Sequence, residues 1–376
     1  MKIGIFTQPL HTNFGGILQA YALQTVLERM GNKVYVIYLS RDEIPHFSWR
    51  KKILCYTKRF LLRYILRKKT FPIFYEENER KVLPIIRQNT NRFIKQHINY
   101  YLINSLEELG DEKIFDAYVV GSDQVWRPIY SPWDIEDSFL RFDTRSDIIR
   151  IAYAASFGVD TWDFTTEQTG NCRKLAKRFD AISVRENSGV ELCKSYLGVD
   201  AKWVLDPTML LDVDDYQKLI EEANVPISKG NLLVYILDRD KEKDDIIKRI
   251  AIERNLAPFK VNSYYEDYLA PLKERIQPMV ESWLRGFIDA EYVVTDSYHG
   301  CVFSILFHRP FIVFANEGRG MARVSSLLEM FKLDDRLIQL PCASIGYKRP
   351  IDWAAIDNIL EENKQNSISM LNKYLK

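Results

Sequence analysis

The sequence lacks the features that mark disulfide-bonded, zinc-binding and nucleic-acid-binding proteins. Its five cysteines form no C-x-x-C pair, and no histidine–cysteine cluster has the spacing of a zinc site. Such cysteine usage is typical of a reduced, cytoplasmic protein. A net charge of +1 supplies no overall field for nucleic acid, so no nucleic-acid partner is expected.

Long hydrophobic runs are missing as well. The first residues, MKIGIFTQPL, have neither the basic start nor the apolar stretch of a signal peptide. No window approaches the roughly 20 apolar residues of a membrane span. Repeats, low-complexity tracts and long flexible linkers are also absent. With 376 residues, of which 47% are hydrophobic, the chain can form more than one folded core.

Acidic residues are missing from one segment. Between Ile44 and Tyr75 there is no Asp or Glu, but there are nine Lys and Arg, with apolar residues spaced as on one face of a helix. A basic amphipathic helix can lie on an anionic membrane surface, so residues 50–69 are a candidate for peripheral contact with the inner membrane. The alternative is a solvated helix that packs on its own domain.

Short apolar runs alternate with helical patterns along the whole chain. This alternation predicts mainly parallel sheets, covered by helices and connected by right-handed crossovers. We expect an α/β protein with two Rossmann-like, doubly wound domains that face each other across a cleft, at residues 1–206 and 207–350. Residues 351–376 are expected to form a helix that could pack back on the first domain. The predicted strands are KIGIF, KVYVIYL, DAYVV, IRIAYAASFG, AISVRE, AKWVLDP, NLLVYIL, APFKVNS, EYVVTDS and PFIVF.

Ligands of such sheets bind beyond the carboxyl ends of the strands, where four polar motifs fall. The motif TQPLHTNFGGILQ places Asn13, Gly15 and Gly16 at a helix start, which would let a ligand approach the backbone closely. A tight turn that allows the helix to pack on its strand is the alternative. His11, beside the glycine pair, is a weaker candidate.

The motif GSDQVW follows another predicted strand. Asp123 and Gln124 can form hydrogen bonds with a polyol, and Trp126 can stack on the face of a sugar. In the alternative interpretation, Ser122 or Asp123 caps a helix and Trp126 lies in the core.

Two charged candidates complete the set. The strand AISV leads directly into Arg185, whose planar guanidinium suits a phosphate or carboxylate unless a surface acid occupies it. The motif TDSYHG places Asp296, Ser297, His299 and Gly300 where a helix begins. Unpaired N–H groups favour an anion there, and His299 can transfer a proton near neutral pH. Asp296 could orient His299, accept a hydroxyl proton or cap the helix.

With these residues in view, the chain resembles the polysaccharide pyruvyl transferase family from about Asn13 to Phe331. The resemblance depends on an ordered set of motifs rather than on any single one. These motifs are NFGGILQAYAL, GSDQVW, YAASFG, SVRENSG, LDPTMLL, TDSYHGCVFSILFHRPFIVF and RVSSLLEMF.

The resemblance implies a GT-B-like fold and transfer of the enolpyruvyl unit of phosphoenolpyruvate to sugar hydroxyls. The family's donor-site His and Arg match His299 and Arg185. Many members carry an Arg two residues before that His, where this chain has Ser297. Arg319 and Arg323 could supply the missing charge. The family's GSDQVW loop is often followed by Asn, where this chain has Arg127.

These observations predict a cytoplasmic transferase of cell-surface polysaccharide biosynthesis, with phosphoenolpyruvate as co-substrate and no other cofactor. The acceptor would be a saccharide, which could be lipid-linked. The first domain is the expected acceptor side, through Asn13, Gly15, Gly16, Asp123, Gln124 and Trp126, and the second domain is the expected donor side. No metal is inferred, because the D-x-D triplet at Asp238–Asp240 is a pattern that charged turns often show by chance. A GT-B glycosyltransferase that uses a nucleotide sugar and a non-catalytic carbohydrate-binding protein are the alternatives.

Overall fold

The computed structural model describes residues 1–40, 48–67, 71–110, 113–131, 134–341 and 349–375. Lys68 and Lys69, which belong to the predicted basic segment, lie outside the described residues. Within the described part, the chain forms two separate sheets in which every strand pairing is parallel.

The first sheet is built from the first half of the chain and the second sheet from the second half. Strands of the first sheet are β1 (Lys2–Phe6), β2 (Lys33–Leu39), β3 (Tyr100–Ile103), β4 (Ala117–Val120), β5 (Ile149–Ala155), β6 (Ala181–Val184) and β7 (Lys202–Trp203). Strands of the second sheet are β8 (Leu232–Tyr235), β9 (Pro258–Phe259), β10 (Tyr292–Thr295), β11 (Phe311–Phe314) and β12 (Leu337–Ile338).

Helices connect most of these strands. They are α1 (Phe14–Arg29), α2 (Trp49–Phe60), α3 (Tyr75–Ile86), α4 (Gln88–His97), α5 (Thr166–Ala176), α6 (Asn187–Leu192), α7 (Val213–Glu222), α8 (Lys241–Arg254), α9 (Leu272–Arg275), α10 (Val280–Asp289), α11 (Tyr298–Leu306), α12 (Met321–Phe331) and α13 (Trp353–Tyr374). The described residues include no helix that is both long and apolar enough to cross a bilayer.

Strand order makes both domains doubly wound. The first sheet has the order β3-β2-β1-β4-β5-β6-β7, and the second has the order β12-β11-β10-β8-β9. The order reverses between β1 and β4 in one sheet and between β8 and β10 in the other. At such a switch point the loops after the two central strands diverge and leave a crevice for a ligand. The predicted fold class is confirmed.

The complete burial of the central strands explains why they could be predicted from short apolar runs in the sequence. Strands β4, β8, β10 and β11 are buried at all four positions, as expected of parallel strands that are covered on both faces. The edge strands β3 and β12 were not predicted. Strand β3 is largely exposed and β12 has only two residues, so neither gives a continuous apolar run.

The two domains share one continuous core, and the C-terminal helix contacts both of them. Phe14 of the first domain stacks on Trp283 of the second, with ring centroids 5.7 Å apart. In α13, the Ser367 hydroxyl accepts a hydrogen bond from the Leu205 amide at 3.4 Å, and Asp357 contacts His308 at 2.7 Å. These contacts hold the domains against each other around the cleft.

Candidate active site

A cleft of about 600 Å³ lies where the carboxyl ends of the two sheets meet. The first domain lines it with residues 11–15, which follow β1, and with Asp123 and Gln124, which follow β4. The second domain contributes residues 234–237, which include the end of β8, and residues 296–299, which follow β10. The cleft therefore lies at both switch points, as the strand order predicts.

Two helix N-termini from opposite domains meet on the cleft wall. Helix α1 begins at Phe14 and helix α11 at Tyr298, and neither has an acidic residue in its first turn. The helices touch so closely that a Cβ added to Gly15 would lie 2.0 Å from Nδ1 of His299. Both positive dipole ends therefore point toward the same region, which favours a bound anion.

His299 lies beside a carboxylate that is supplied by the other domain. Its imidazole is buried, and Nε2 is 3.7 Å from Oδ2 of Asp206. Burial alone would raise the pKa of Asp206, but the neighbouring His299 and Arg185 lower it below the ordinary aspartate range. Asp206 thus stays ionised and can orient the imidazole and stabilise its protonated form.

Arg185 lies beneath the cleft rather than on its wall. One guanidinium nitrogen donates to Asp206 at 2.7 Å, and the other donates to Asp123 at 2.9 Å. The guanidinium carbon lies 4.4 Å from the ring centroid of Tyr298, and the Arg185 side chain is fully buried. The sequence predicted Arg185 as a direct ligand of the donor. In the structure it instead anchors the two carboxylates beside His299.

Arg323 occupies the position on the cleft wall that was expected of Arg185. Its guanidinium contacts Asp123 at 3.4 Å and donates to the Arg319 carbonyl at 2.5 Å. Burial and the charge of Arg185 lower the pKa of Arg323 to about 10. A bound anion would counteract both effects, so Arg323 is a candidate to bind one. Arg319 also lines the cleft, but Asp238 holds it at 2.7 and 3.0 Å.

Asp296 has a different role from the predicted one. Its carboxylate accepts hydrogen bonds from the Leu237 amide at 2.7 Å and the Asp238 amide at 3.1 Å, and it pairs with Lys243 at 2.8 Å. It therefore braces the ends of β8 and β10 against each other. Asp206, not Asp296, is the carboxylate placed to orient His299.

The helix cap also falls one residue later than Asp296. The Ser297 hydroxyl accepts a hydrogen bond from the Gly300 amide at 3.4 Å, so Ser297 caps α11 while lining the cleft. Gly300 lies behind the wall against Thr295, where a Cβ would meet the threonine hydroxyl at 2.2 Å. Gly16 is likewise buried beside the Asn13 side chain.

Trp126 is the clearest correction to the predicted acceptor side. Its ring is fully buried, stacks on Phe139 at 4.7 Å, and donates through Nε1 to the Ser138 carbonyl at 3.2 Å. The prediction that Trp126 stacks on a sugar is therefore wrong, and its core interpretation holds. The exposed rings that do line the cleft are Tyr130 and Tyr264.

Of the other predicted acceptor residues, Asn13, Gly15, Asp123 and Gln124 line the cleft, whereas Gly16 does not. Asn13 donates to Asp123 at 3.5 Å, and the Gln124 side chain accepts from Arg127 at 3.0 Å. His11 is also on this wall, and its Nδ1 accepts from the Thr12 amide at 2.8 Å. The first domain thus presents a polar wall opposite His299.

Asp206 was missed as a functional residue although its motif, LDPTMLL, is part of the family resemblance. It lies three residues beyond the end of β7, so the strand-end rule that selected Asp123 would also have selected it. No pattern in the sequence indicated that its partner would be His299 of the other domain.

Metal ligation has no support among the described residues, where no group of three or more His, Cys, Asp or Glu side chains could hold an ion. The acids of the D-x-D triplet have other partners. Asp238 binds Arg319, and Asp240 accepts from the Glu242 amide at 2.7 Å as the N-cap of α8.

Similarity to known proteins is found both in a family model and among solved structures. A family model described as polysaccharide pyruvyl transferase matches residues 13–318. No curated protein matches the sequence significantly. Solved structures similar to the chain include heptosyltransferase WaaC of E. coli with ADP, at 14% identity and TM-score 0.37, covering 96% of this chain and 100% of that chain. UDP-GlcNAc 2-epimerase of Methanocaldococcus jannaschii has 13% identity and TM-score 0.46, with 96% and 92% covered. A glycosyltransferase of Rickettsia africae ESF-5 has 8% identity and TM-score 0.47, with 100% and 93% covered.

Two Rossmann-like domains with a cleft at their junction give the chain a GT-B-like architecture. The family match spans most of the sequence and includes the cleft segments that follow β1, β4, β8 and β10. The chain belongs to the polysaccharide pyruvyl transferase family.

Substitution of Gly15 should test the contact between the two helix starts. In Gly15→Ala the new methyl group would overlap the His299 ring, so the ring must move. With the role in proton transfer that is proposed for His299 below, we expect turnover to fall by about 10²-fold, because small displacements of a reacting group have such effects. Gly170→Ala in α5 is the matched control, since nothing lies within 4 Å of its added Cβ. Equal activity of both variants would contradict the contact.

Substitution of Asp206 should change the pH dependence of stability. In Asp206→Asn, Arg185 loses a buried anion, and the free energy of unfolding at neutral pH should fall by about 3 kcal/mol or more. A carboxylate with a lowered pKa stabilises the fold above its unfolded pKa of about 3.9 and loses that effect as the pH falls further. The difference in the free energy of unfolding between wild type and Asp206→Asn should therefore be largest near neutral pH and should shrink below about pH 4. Urea unfolding across this range measures it, and a constant difference would argue against an ionised Asp206.

Proposed function

We propose that the protein transfers the enolpyruvyl unit of phosphoenolpyruvate to hydroxyl groups of a saccharide, forming a pyruvate ketal in the synthesis of a cell-surface polysaccharide. The main support is one arrangement: two helix N-termini, Arg323 and His299 meet at a cleft between two domains. This arrangement combines sites for a small anion with a group that can transfer a proton. Family membership supports the same reaction.

The donor brings a phosphate and a carboxylate, and the site offers separate positive groups for them. A helix N-terminus stabilises an anion by only about 0.3–1 kcal/mol, so two N-termini alone would hold it weakly. A charge-assisted hydrogen bond contributes about 1.5–3 kcal/mol. Arg323, whose side chain is buried on the cleft wall, is proposed to supply that bond.

The chemistry requires one proton and two hydroxyl groups. In the proposed reaction, His299 protonates the methylene carbon of phosphoenolpyruvate. A sugar hydroxyl adds to the carbon that bears the phosphate and gives its proton to the neutral imidazole. The bond from this carbon to the phosphate oxygen then breaks, a second hydroxyl attacks the same carbon to close the cyclic ketal, and its proton leaves with inorganic phosphate. Asp206 stabilises the protonated imidazole before the transfer and orients it throughout.

The acceptor is proposed to lie against the first-domain wall, which includes Asn13, Asp123 and Gln124. Tyr130 and Tyr264 offer exposed rings on which a sugar can stack, and they come from opposite domains. We further propose that the saccharide is carried on a lipid.

Binding of phosphoenolpyruvate should raise the melting temperature. A ligand at 100 times its Kd stabilises the native state by about 2.7 kcal/mol, which corresponds to several degrees. The shift should be much smaller in Arg323→Met, whereas Arg249→Met, on the exposed face of α8, should behave as wild type. Differential scanning fluorimetry with phosphoenolpyruvate and a panel of nucleotide sugars measures this. Stabilisation by a nucleotide sugar alone would favour the glycosyltransferase alternative.

Substitution of His299 should separate proton transfer from donor binding. His299→Gln keeps a side chain that forms hydrogen bonds but cannot act as an acid near neutral pH. We expect kcat to fall by roughly 10²-fold or more with a smaller change in donor affinity. His308→Gln is the matched control, because His308 is exposed and pairs with Asp357 on α13. Near-normal turnover of His299→Gln would show that another group transfers the proton.

A further inference from the structure

A second surface of the protein has an unusual distribution of side chains. Helix α2 continues into a π-helical turn, Leu61–Ile65, so that residues 49–65 form one helical segment, here called the basic helix. No residue of the basic helix is buried. Between Ser48 and Arg67 the chain has seven Lys and Arg and no Asp or Glu.

The side of the basic helix that faces the protein is polar. Lys52 pairs with Glu77 at 2.9 Å, and Arg59 pairs with Glu76 at 2.6 Å, both on α3. Tyr56 packs on Phe74 with ring centroids 5.0 Å apart. Ion pairs to α3 therefore hold the helix in place, rather than an apolar core.

The opposite side is apolar and faces solvent, which inverts the usual arrangement of a surface helix. Its large side chains are 44–70% exposed: Trp49, Ile53, Leu54, Phe60, Leu61, Tyr64 and Ile65. Arg50, Lys58, Arg63 and Arg67 are also exposed. A partner must therefore accept apolar side chains and neutralise several cations at once.

An anionic bilayer surface meets both requirements. Apolar side chains of such a helix enter the boundary between headgroups and acyl chains, while Lys and Arg remain at the lipid phosphates. A second copy of the chain fits less well, because it would bring the same cations face to face. We propose that the basic helix is a peripheral docking surface for a membrane rich in anionic phospholipid.

Contacts through α3 connect the basic helix to the rim of the cleft. Helix α3, which holds the basic helix, pairs through Glu79 with Arg275 of α9 at 2.8 Å. Phe71 stacks on Tyr268 at 4.6 Å in the same region. Residues 264–267, just before this contact, line the cleft. A docked basic helix would therefore hold the rim of the cleft close to the bilayer.

Vesicle sedimentation with the full chain tests the proposal without measuring turnover, so its outcome is independent of the proposed reaction. The probes are phosphatidylcholine vesicles and vesicles in which a third of the lipid is phosphatidylglycerol. We expect binding to be at least about tenfold stronger to the anionic vesicles and to weaken as salt is added. Equal binding to both vesicles, or binding to neither, would overturn the proposal.

Two pairs of variants separate charge from apolar contact. Lys58→Glu/Arg63→Glu should remove the preference for anionic vesicles, and Ile53→Ser/Leu54→Ser should weaken binding although the charge is unchanged. The controls are Lys174→Glu/Lys194→Glu and Ile252→Ser, all at exposed positions on other surfaces. These control variants should bind anionic vesicles as strongly as the wild-type protein does. If wild type instead forms dimers that Ile53→Ser/Leu54→Ser abolishes, with vesicle binding unchanged, the surface joins two copies of the chain and the proposal is wrong.

Discussion

The buried contact between Arg185 and two carboxylates is the interaction on which the site depends. Asp123 and Asp206 follow different strands of the first sheet, and Arg185 joins them at 2.9 and 2.7 Å. Each charge would be costly to bury alone, because a buried ion without a partner loses its hydration. The strand ends of the first domain are thus fixed relative to one another before any substrate binds.

The second domain completes this charge arrangement. Arg323 contacts Asp123 at 3.4 Å, and His299 reaches Asp206 at 3.7 Å, so each carboxylate also faces a group from across the cleft. Two arginines face two aspartates here, and the N-termini of α1 and α11 add partial positive charge. These N-termini lie where the proposed anionic donor would bind.

The cleft and the basic helix use the same kinds of residues in opposite arrangements. In the cleft, Arg323 is buried and contacts the Asp123 carboxylate, which suits a small ligand in a fixed position. On the basic helix, cations and apolar groups are exposed together, which suits a broad and fluid surface. Helix α3 and the segment ending at α9 connect the two regions, so the proposed lipid-carried saccharide would lie near both.

The sequence by itself determined the two doubly wound domains and several strand-end residues of the site. Buried parallel strands appear as short apolar runs, and the edge where they end collects the polar loops. These patterns are local, so Asp123 and His299 could be placed at strand ends without any coordinates. Only the tertiary structure decided which side chains meet. It paired Asp123 with Arg323, 200 positions away, placed Asp206 beside His299, buried Trp126 against Phe139, and turned the apolar side of the basic helix outward. Such pairings depend on how two domains and their loops pack together, and spacing along the chain does not encode them.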